Sequence, residues 1–439
     1  MDIINDLLCG KDRVSVIGLG YVGLQLAIEF GNKYSVIGYD TNEDKINAYK
    51  LGADPANEVH PSEFIQARVE FTTDAHLLSA ARFHIIAVPT PINQDKSPNL
   101  EFIISATQTV ARHLSKGSFI VYESTVYPGV TEEICIPLIE DISGLRCGID
   151  FKVGYSPERI VPGEKRLFSN IVKVVAGIDN DALKEIAQVY GMVIGPENIY
   201  EAESIKVAEA AKVTENTQRD LNIALMNELS MIFNKMGIDS KAVINAAATK
   251  WNFIQMQPGI VGGHCISVDP YYLVYKAEQI GYAPELILSG RKTNERMASY
   301  IAEHTIKLLI DSNRRIKGCK ILVIGFTYKE NVADVRNTKV ADIVRQLNDY
   351  GAEVYVTDVL ANPHEAYYEH GISLFPFEEV NEIDAIIYAV PHQDYSTLTL
   401  KDLKKKYRTD LHEACVFIDL KGLYDKEEAD QMDMLYWSL

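Results

Sequence analysis

The feature that most constrains this chain is a series of short β-branched runs, each followed by a helical stretch, that occurs once near the start and again near the end. In the first third the runs are Val14 to Gly18, Ser35 to Asp40, His84 to Pro89 and Ser118 to Tyr122. Near the C-terminus they are Lys320 to Gly325, Glu353 to Asp358, Asp384 to Pro391 and Cys415 to Asp419. Strand runs alternating with helices are the pattern of parallel sheets built from βαβ units. The spacings within the two series differ, so they predict a structural echo, not a tandem repeat. The fold class expected is α/β: two Rossmann-like, doubly wound parallel-sheet domains joined by a long central helix and an all-α middle region.

That middle region reads as helix from Tyr200 to Met236, a stretch without Pro or Gly that Gly237 ends. Helical patterning returns over Asp239 to Lys250 and Leu286 to Leu309. The domain boundaries expected are therefore 1–200, 201–310 and 311–439, and a central helix of this length offers a face for a homodimer or higher homo-oligomer. Between the helices, Trp251 to Val268 carries no charge, but its Pro258, Gly259, Gly262 and Gly263 make it a loop and not a membrane span.

Composition narrows the partners. With 43 Lys plus Arg against 61 Asp plus Glu, the formal charge is −18, the wrong sign for a nucleic-acid backbone. Six scattered cysteines without a CxxC pair, and no signal peptide ahead of them, point to a reducing cytoplasm. No His or Cys spacing suits a metal, and no membrane partner is expected.

Gly18-Leu-Gly20-Tyr21-Val22-Gly23 follows a predicted strand and opens an apolar helical run, the context in which GxGxxG denotes dinucleotide binding. The glycines permit a tight turn and close approach of backbone N–H groups to a pyrophosphate at a helix N-terminus. Asp40, at the end of the second run, is placed for an adenosine ribose. Thr41 and Asn42 follow it where an NADP enzyme would carry arginine, so NAD is the cofactor expected. The second half has no such glycines. After Gly325 come Lys329 and Arg336, which suit the diphosphate of a nucleotide sugar at an interdomain cleft, or else belong to a solvated surface loop.

Lys212 and Asn216 are four apart and share one face of the long helix. By itself such a pair describes a solvated polar face. The glycine loop Pro258 to Cys265, followed by Asp269, adds weight: Gly259, Gly262 and Gly263 are expected to let backbone amides approach a sugar and to present one thiol.

GLGYVG at 18–23, VPTP at 88–91, STV at 124–126, SPER at 156–159, KVTEN at 212–216, GGHC at 262–265 and TYKENVADVRNT at 327–338 together resemble the UDP-glucose/GDP-mannose dehydrogenase family, the nucleotide-sugar 6-dehydrogenases, in order along nearly the whole chain. The resemblance implies an NAD-dependent four-electron oxidation of the C6 hydroxymethyl of a UDP-sugar to a carboxylate. In it Cys265 forms a thiohemiacetal and then a thioester, and Lys212 and Asn216 steady negative charge on the C6 oxygen. Asp269 is implied as the acid-base carboxylate, and Thr125 and Glu158 as residues that position water.

The resemblance places Gly18, Gly20, Tyr21, Val22, Gly23, Asp40, Lys45, Thr90, Thr125 and Arg336 at NAD. It places Glu158, Arg159, Lys212, Asn216, Ile254, Gln255, Pro258, Gly259, Gly262, Gly263 and Lys329 at the UDP-sugar. SPERxxPG (156–163) and GGHCxxVDPYYL (262–273) look like the branch acting on UDP-N-acetylhexosamines, UDP-GlcNAc or UDP-GalNAc, for capsule or O-antigen polysaccharide. UDP-glucose enzymes usually carry NPEF and a lysine before the catalytic aspartate; here Arg159 and Val268 stand at those points. Three other readings remain: a UDP-glucose 6-dehydrogenase, a β-hydroxyacid-type dehydrogenase that transfers one hydride, and an NAD-sensing regulator without catalysis.

Overall fold

The computed structural model describes residues 3–55, 59–159, 171–408 and 414–439. Chain contacts divide them into two compact units. One comprises residues up to Glu215 with Tyr271–Ala283, the other Asn216–Pro270 with Pro284–Leu439.

The first unit is built on an eight-stranded sheet: β1 (Val14–Ile17), β2 (Val36–Tyr39), β3 (Val69–Thr72), β4 (Phe83–Ile86), β5 (Ser118–Tyr122), β6 (Phe151–Tyr155), β7 (Lys173–Gly177) and β8 (Ile199–Glu201). Its order is 3-2-1-4-5-6-7-8. The first six strands are parallel, in the order of a doubly wound dinucleotide fold. β7 then joins β6 antiparallel. β1, β2, β4 and β5 are buried along their whole length, as strands covered on both faces are, so they read as mostly apolar runs interrupted only by Ser15, His84 and Ser118. Helices Tyr21–Gly31 and Asn180–Ile194 contribute Leu24, Ala27, Ile186 and Tyr190 to the same core.

The second unit holds a five-stranded parallel sheet of β9 (Lys320–Ile324), β10 (Glu353–Thr357), β11 (Ala385–Tyr388), β12 (Cys415–Asp419) and β13 (Met434–Ser438). Its order, β10-β9-β11-β12-β13, is the other common doubly wound arrangement. The helix Glu285–Asp311 lays Met297, Ile301, Ile306 and Leu309 into its core. The fold is thus mixed α/β with two Rossmann-like parallel sheets and a helical stretch of chain between them.

The long helix runs from Ile205 to Met236, not from Tyr200. Tyr200 and Glu201 pair with Val174 and Val175 as part of β8, and the helix starts where the Ser204 hydroxyl accepts from the Val207 amide. It stops where Gly237 turns left-handed, φ +69°, and the Ile238 amide reaches back to the Phe233 carbonyl. The other two predicted helices run from Ser240 to Ala247, with Asp239 as cap, and from Glu285 to Asp311. Among the described residues no helix is long and apolar enough to cross a membrane.

Candidate active site

In a doubly wound sheet, ligands bind beyond the carboxyl ends of the strands where the strand order reverses. In the first unit that reversal lies between β1 and β4. The chain leaves β1 through Gly18 (φ +89°), where a Cβ would come 2.7 Å from the Val88 side chain just past β4. At Gly23 a Cβ would lie 1.8 Å from the Gly18 carbonyl oxygen. These two glycines are therefore fixed by packing within the turn. Gly20 differs: its chain neighbours aside, no atom of the described residues lies within 4 Å of its Cβ position, and it caps the helix Tyr21–Gly31 with no side-chain hydrogen bond. An open approach at a helix N-terminus, between two packed glycines, fits a dinucleotide pyrophosphate.

Asp40, at the end of β2, accepts from the Leu19 amide (2.8 Å) and the Asn42 amide (2.9 Å). Its carboxylate thus holds the glycine turn in register with β2. Asn42 in turn caps the next helix by accepting from the Lys45 amide, which fixes Lys45 one turn beyond Asp40. Thr90 follows β4 and its carbonyl accepts from the Tyr272 hydroxyl at 2.6 Å. Thr125 follows β5, in a segment pinned on one side by Ser124 Oγ on the Val88 carbonyl. On the other side Glu209 of the long helix accepts from the amides of Gly129 (2.6 Å) and Thr131 (3.0 Å).

Glu158 is buried, and its peptide is gripped by two lysines. Lys212 Nζ donates to the Glu158 carbonyl at 2.6 Å, and Lys173 Nζ to the neighbouring Pro157 carbonyl at 3.1 Å. Lys173 also pairs with Glu123, which the Tyr190 hydroxyl reaches at 2.7 Å. Burial pushes the Glu123 carboxyl up to about 7 against the pull of Lys173. Sequence reading passed over Glu123 and Lys173, because a single acidic residue after one strand and a single lysine in another carry no local pattern. The Arg159 guanidinium is engaged by Glu215 (2.6 Å) and by the Val172 carbonyl (2.8 Å). The rest of the 156–163 motif, Ile160 to Gly163, lies outside the described residues.

In the second unit the glycine loop closes on itself. The Asp269 amide donates to the Cys265 carbonyl at 2.8 Å, forming the turn that starts the helix Asp269–Gln279. The Asp269 carboxylate accepts from Asn216 Nδ2 at 2.5 Å. Lys212 and Asn216 are both buried, so the solvated polar face that the pair suggests in isolation is not what they form.

Of the six cysteines, Cys135, Cys147, Cys319 and Cys415 have thiols pushed up by burial, Cys135 to about 12 and Cys147 and Cys319 to about 11. Such thiols are poor nucleophiles. Cys265 is partly exposed on its loop.

A Cβ at Gly262 would lie 2.7 Å from the Asn337 carbonyl, and one at Gly263 (φ +83°) 2.7 Å from the Tyr328 ring. At both positions the 327–338 segment packs where a side chain would go, which leaves the backbone as the part of each residue that a ligand could meet. A Cβ at Gly259 would meet only Lys421 Nζ among the described residues, at 3.9 Å. Pro258 is buried beside it, whereas Ile254 and Gln255 face solvent. His264 Nε2 reaches Asp334 at 2.9 Å, and Arg336 grips the same carboxylate with Nε (3.0 Å) and Nη2 (2.8 Å). A carboxylate only accepts, so His264 carries its proton on Nε2. Burial pushes Asp334 up, and His264 and Arg336 overcome it and hold it well below the usual carboxylate range. Lys329 lies in the turn that follows β9, its carbonyl accepting from Thr327 Oγ1.

A glycine turn open at its middle residue, at the switch point of a 3-2-1-4-5-6 sheet, is the architecture of a dinucleotide-binding domain. The chain belongs to the UDP-glucose/GDP-mannose dehydrogenase family. That family's NAD binding domain matches residues 12–194, its central domain 206–296 and its UDP binding domain 322–426. Protein CapL of Staphylococcus aureus is 47% identical, covering 97% of this chain and 99% of its own length. The UDP-N-acetyl-D-glucosamine 6-dehydrogenase of Salmonella typhi is 46% identical, covering 95% and 98%. Among solved structures, the UDP-D-ManNAc dehydrogenase of Pyrococcus horikoshii superposes with a TM-score of 0.86 at 28% identity, over 97% of this chain and 98% of that one. The protein is an NAD-dependent nucleotide-sugar dehydrogenase.

Proposed function

We propose that the protein oxidises the C6 hydroxymethyl of a UDP-N-acetylhexosamine, UDP-GlcNAc before UDP-GalNAc, to the carboxylate, with Cys265 as covalent nucleophile. The observation that carries this reading is the closed run in the second unit: a partly exposed thiol on a glycine loop, whose carbonyl binds the Asp269 amide, whose carboxylate binds Asn216. One backbone and one side-chain hydrogen bond thus join Cys265, Asp269 and Asn216, three of the residues assigned to the chemistry.

NAD supplies, when bound, the hydride acceptor, and a four-electron oxidation consumes two. Gly18, Gly20, Tyr21, Val22 and Gly23 would hold its pyrophosphate, and Asp40 with Lys45 its adenosine end. Thr90, Thr125 and Arg336 complete the residues assigned to it. At the sugar, Cys265 adds through sulfur to the C6 aldehyde, so the carbon stays covalently bound through the second oxidation. Loss of the second hydride from the thiohemiacetal leaves a thioester, and water then cleaves the C–S bond, returning the thiol and releasing the acid. Lys212 and Asn216 stabilise charge on the C6 oxygen, the role of an oxyanion hole. Asp269 takes and returns the proton, and Glu158 and Thr125 orient the attacking water.

Glu158, Arg159, Ile254, Gln255, Pro258, Gly259, Gly262, Gly263 and Lys329 are assigned to substrate; for Gly262 and Gly263 only the backbone is free for that role, since their side-chain positions are filled. The N-acetylhexosamine substrate rests on the names of the relatives in Salmonella typhi and Pseudomonas aeruginosa and on Val268 before Asp269. A cytoplasmic capsule or O-antigen role and the three functional segments 1–200, 201–310 and 311–439 belong to the same reading.

Offering UDP-GlcNAc, UDP-GalNAc and UDP-glucose in parallel tests the substrate. UDP-GlcNAc is expected to be oxidised fastest, with about two NADH formed per sugar; a ratio near one with aldehyde accumulating favours the single-hydride alternative. A Glu158→Gln variant should accumulate a sugar adduct on Cys265, visible by intact-mass spectrometry. Absence of any adduct on Cys265 in that variant removes the thiol as the covalent nucleophile.

A further inference from the structure

Asn227 lies on the long helix, fully buried, and pairs with one residue of the glycine loop in both directions. Its Oδ1 accepts from the Gly259 amide at 2.7 Å, and its Nδ2 donates to the Gly259 carbonyl at 3.0 Å. This is how a neighbouring strand would pair, although residues around Gly259 form no strand.

The second Nδ2 proton goes to Asn294 Oδ1 at 2.8 Å. Asn294 Nδ2 in turn donates to the Asp220 carbonyl (2.9 Å) and carboxylate (2.7 Å). Arg291 Nη1 meets that same carboxylate oxygen at 2.5 Å and also the Ile266 carbonyl at 3.5 Å. Four side chains, each no more than 1% exposed, therefore form one hydrogen-bonded chain from Gly259 to Ile266, the two sides of Cys265. Buried polar chains of this kind hold the segments they join in place and are costly when one member is removed.

We propose that Asn227 is a positioning residue of the dehydrogenase reaction, holding the start of the Cys265 loop to the helical core while Asp220 and Arg291 hold its end. The proposal rests on the assignment of Cys265 as the nucleophile. Asn227 touches neither substrate nor cofactor in this role; it acts by fixing where the loop backbone sits, and a reacting thiol displaced by an ångström loses much of its rate.

The test compares Asn227→Leu, which keeps the volume and deletes the amide, with Ser230→Ala. Ser230 is buried one turn along the same helix, and its hydroxyl bonds only the Asn227 backbone carbonyl, so its loss lowers stability without reaching the loop. Asn227→Leu should lower kcat by about tenfold or more with the KM for NAD within about twofold, whereas Ser230→Ala keeps both. Hydrogen exchange at the Gly259 amide should be slow in the unaltered protein and at least about tenfold faster in Asn227→Leu. An Asn227→Leu protein with kcat within about twofold overturns the proposal. So does a Gly259 amide that exchanges at the unprotected rate in the unaltered protein, a measurement that stands if the variant fails to fold. Exchange needs no turnover, so if no UDP-sugar is oxidised at all, the functional reading falls while the loop clamp is still judged.

Discussion

Single residues divide the nucleotide fingerprint into positions packed within the fold and a position left open. Gly23 has a carbonyl oxygen 1.8 Å from where a Cβ would go, and Gly20 has nothing within 4 Å. Gly23→Ala must push the helix off the turn, at a cost of about 1–3 kcal/mol, and should lower both the melting temperature and NAD affinity. Gly20→Ala should leave the melting temperature within about a degree, since no protein atom is displaced, yet weaken NAD binding by calorimetry about tenfold or more, a loss of about 1.4 kcal/mol. Unchanged NAD affinity in a folded Gly20→Ala protein would remove the pyrophosphate from this turn. The sequence made the three glycines visible but not this division, because the atoms that crowd Gly18 come from Ala87 and Val88, far along the chain.

At the scale of elements, the register of β1 on β4 carries a polar pair inside an apolar sheet. Ser15 and His84 are register partners, both fully buried, and joined at 2.7 Å through Nδ1. Burial lowers the His84 imidazole to about 4 from its usual 6.5. Between those values the unfolded chain binds a proton that the native sheet refuses, so stability is whole above pH 6.5 and is lost as pH falls toward 4. Complete loss of this contribution amounts to about 3 kcal/mol. Urea titrations across that range should show a shallower acid slope in His84→Gln than in the unaltered protein; equal slopes would place the acid sensitivity elsewhere. The β-branched run around His84 was legible as a strand, but its partner in space was not. Nor were β3, β6, β7, β8 and β13 picked out, being short runs interrupted by charge, Gly or Trp, held by neighbours and not by a local pattern. The start of the long helix was written in Ser204, and was missed because Tyr200 and Glu201 have no strand pattern apart from β7.

Across the whole molecule the two sheets repeat one device. Gly18 (φ +89°) crowds Val88 as Gly325 (φ +88°) crowds Val390, and Asp40 accepts the Leu19 amide as Asp358 accepts the Phe326 amide. In the second unit, however, His392 covers Asp358 at 2.9 Å with both side chains fully buried. A ribose cannot reach that carboxylate as it can a solvent-facing one. The long helix presents a different surface: Leu225, Ile232 and Met236 are 45–62% exposed and, seven and eleven residues apart, fall on one stripe. We propose this stripe as part of a homodimer face. Light scattering should give twice the chain mass, and Leu225→Glu with Ile232→Glu should halve it; an unaltered protein that scatters as one chain refutes the interface.

By itself the sequence determined the two parallel sheets, the helical middle, the NAD fingerprint and the family, because these follow from runs of residues close together in the chain. Periodicity and glycine spacing are local quantities, and backbone geometry turns them directly into strands, turns and helix starts. Only the tertiary structure decided what each side chain meets: that Gly262 and Gly263 yield to Asn337 and Tyr328, that Asp334 holds both His264 and Arg336, and that Asn227 clamps Gly259. Apart from Arg336, two residues from Asp334, those partners lie between 32 and 75 residues apart in sequence. A buried polar group must find its hydrogen bond wherever the fold delivers one, and no pattern within a short stretch of chain records where that will be.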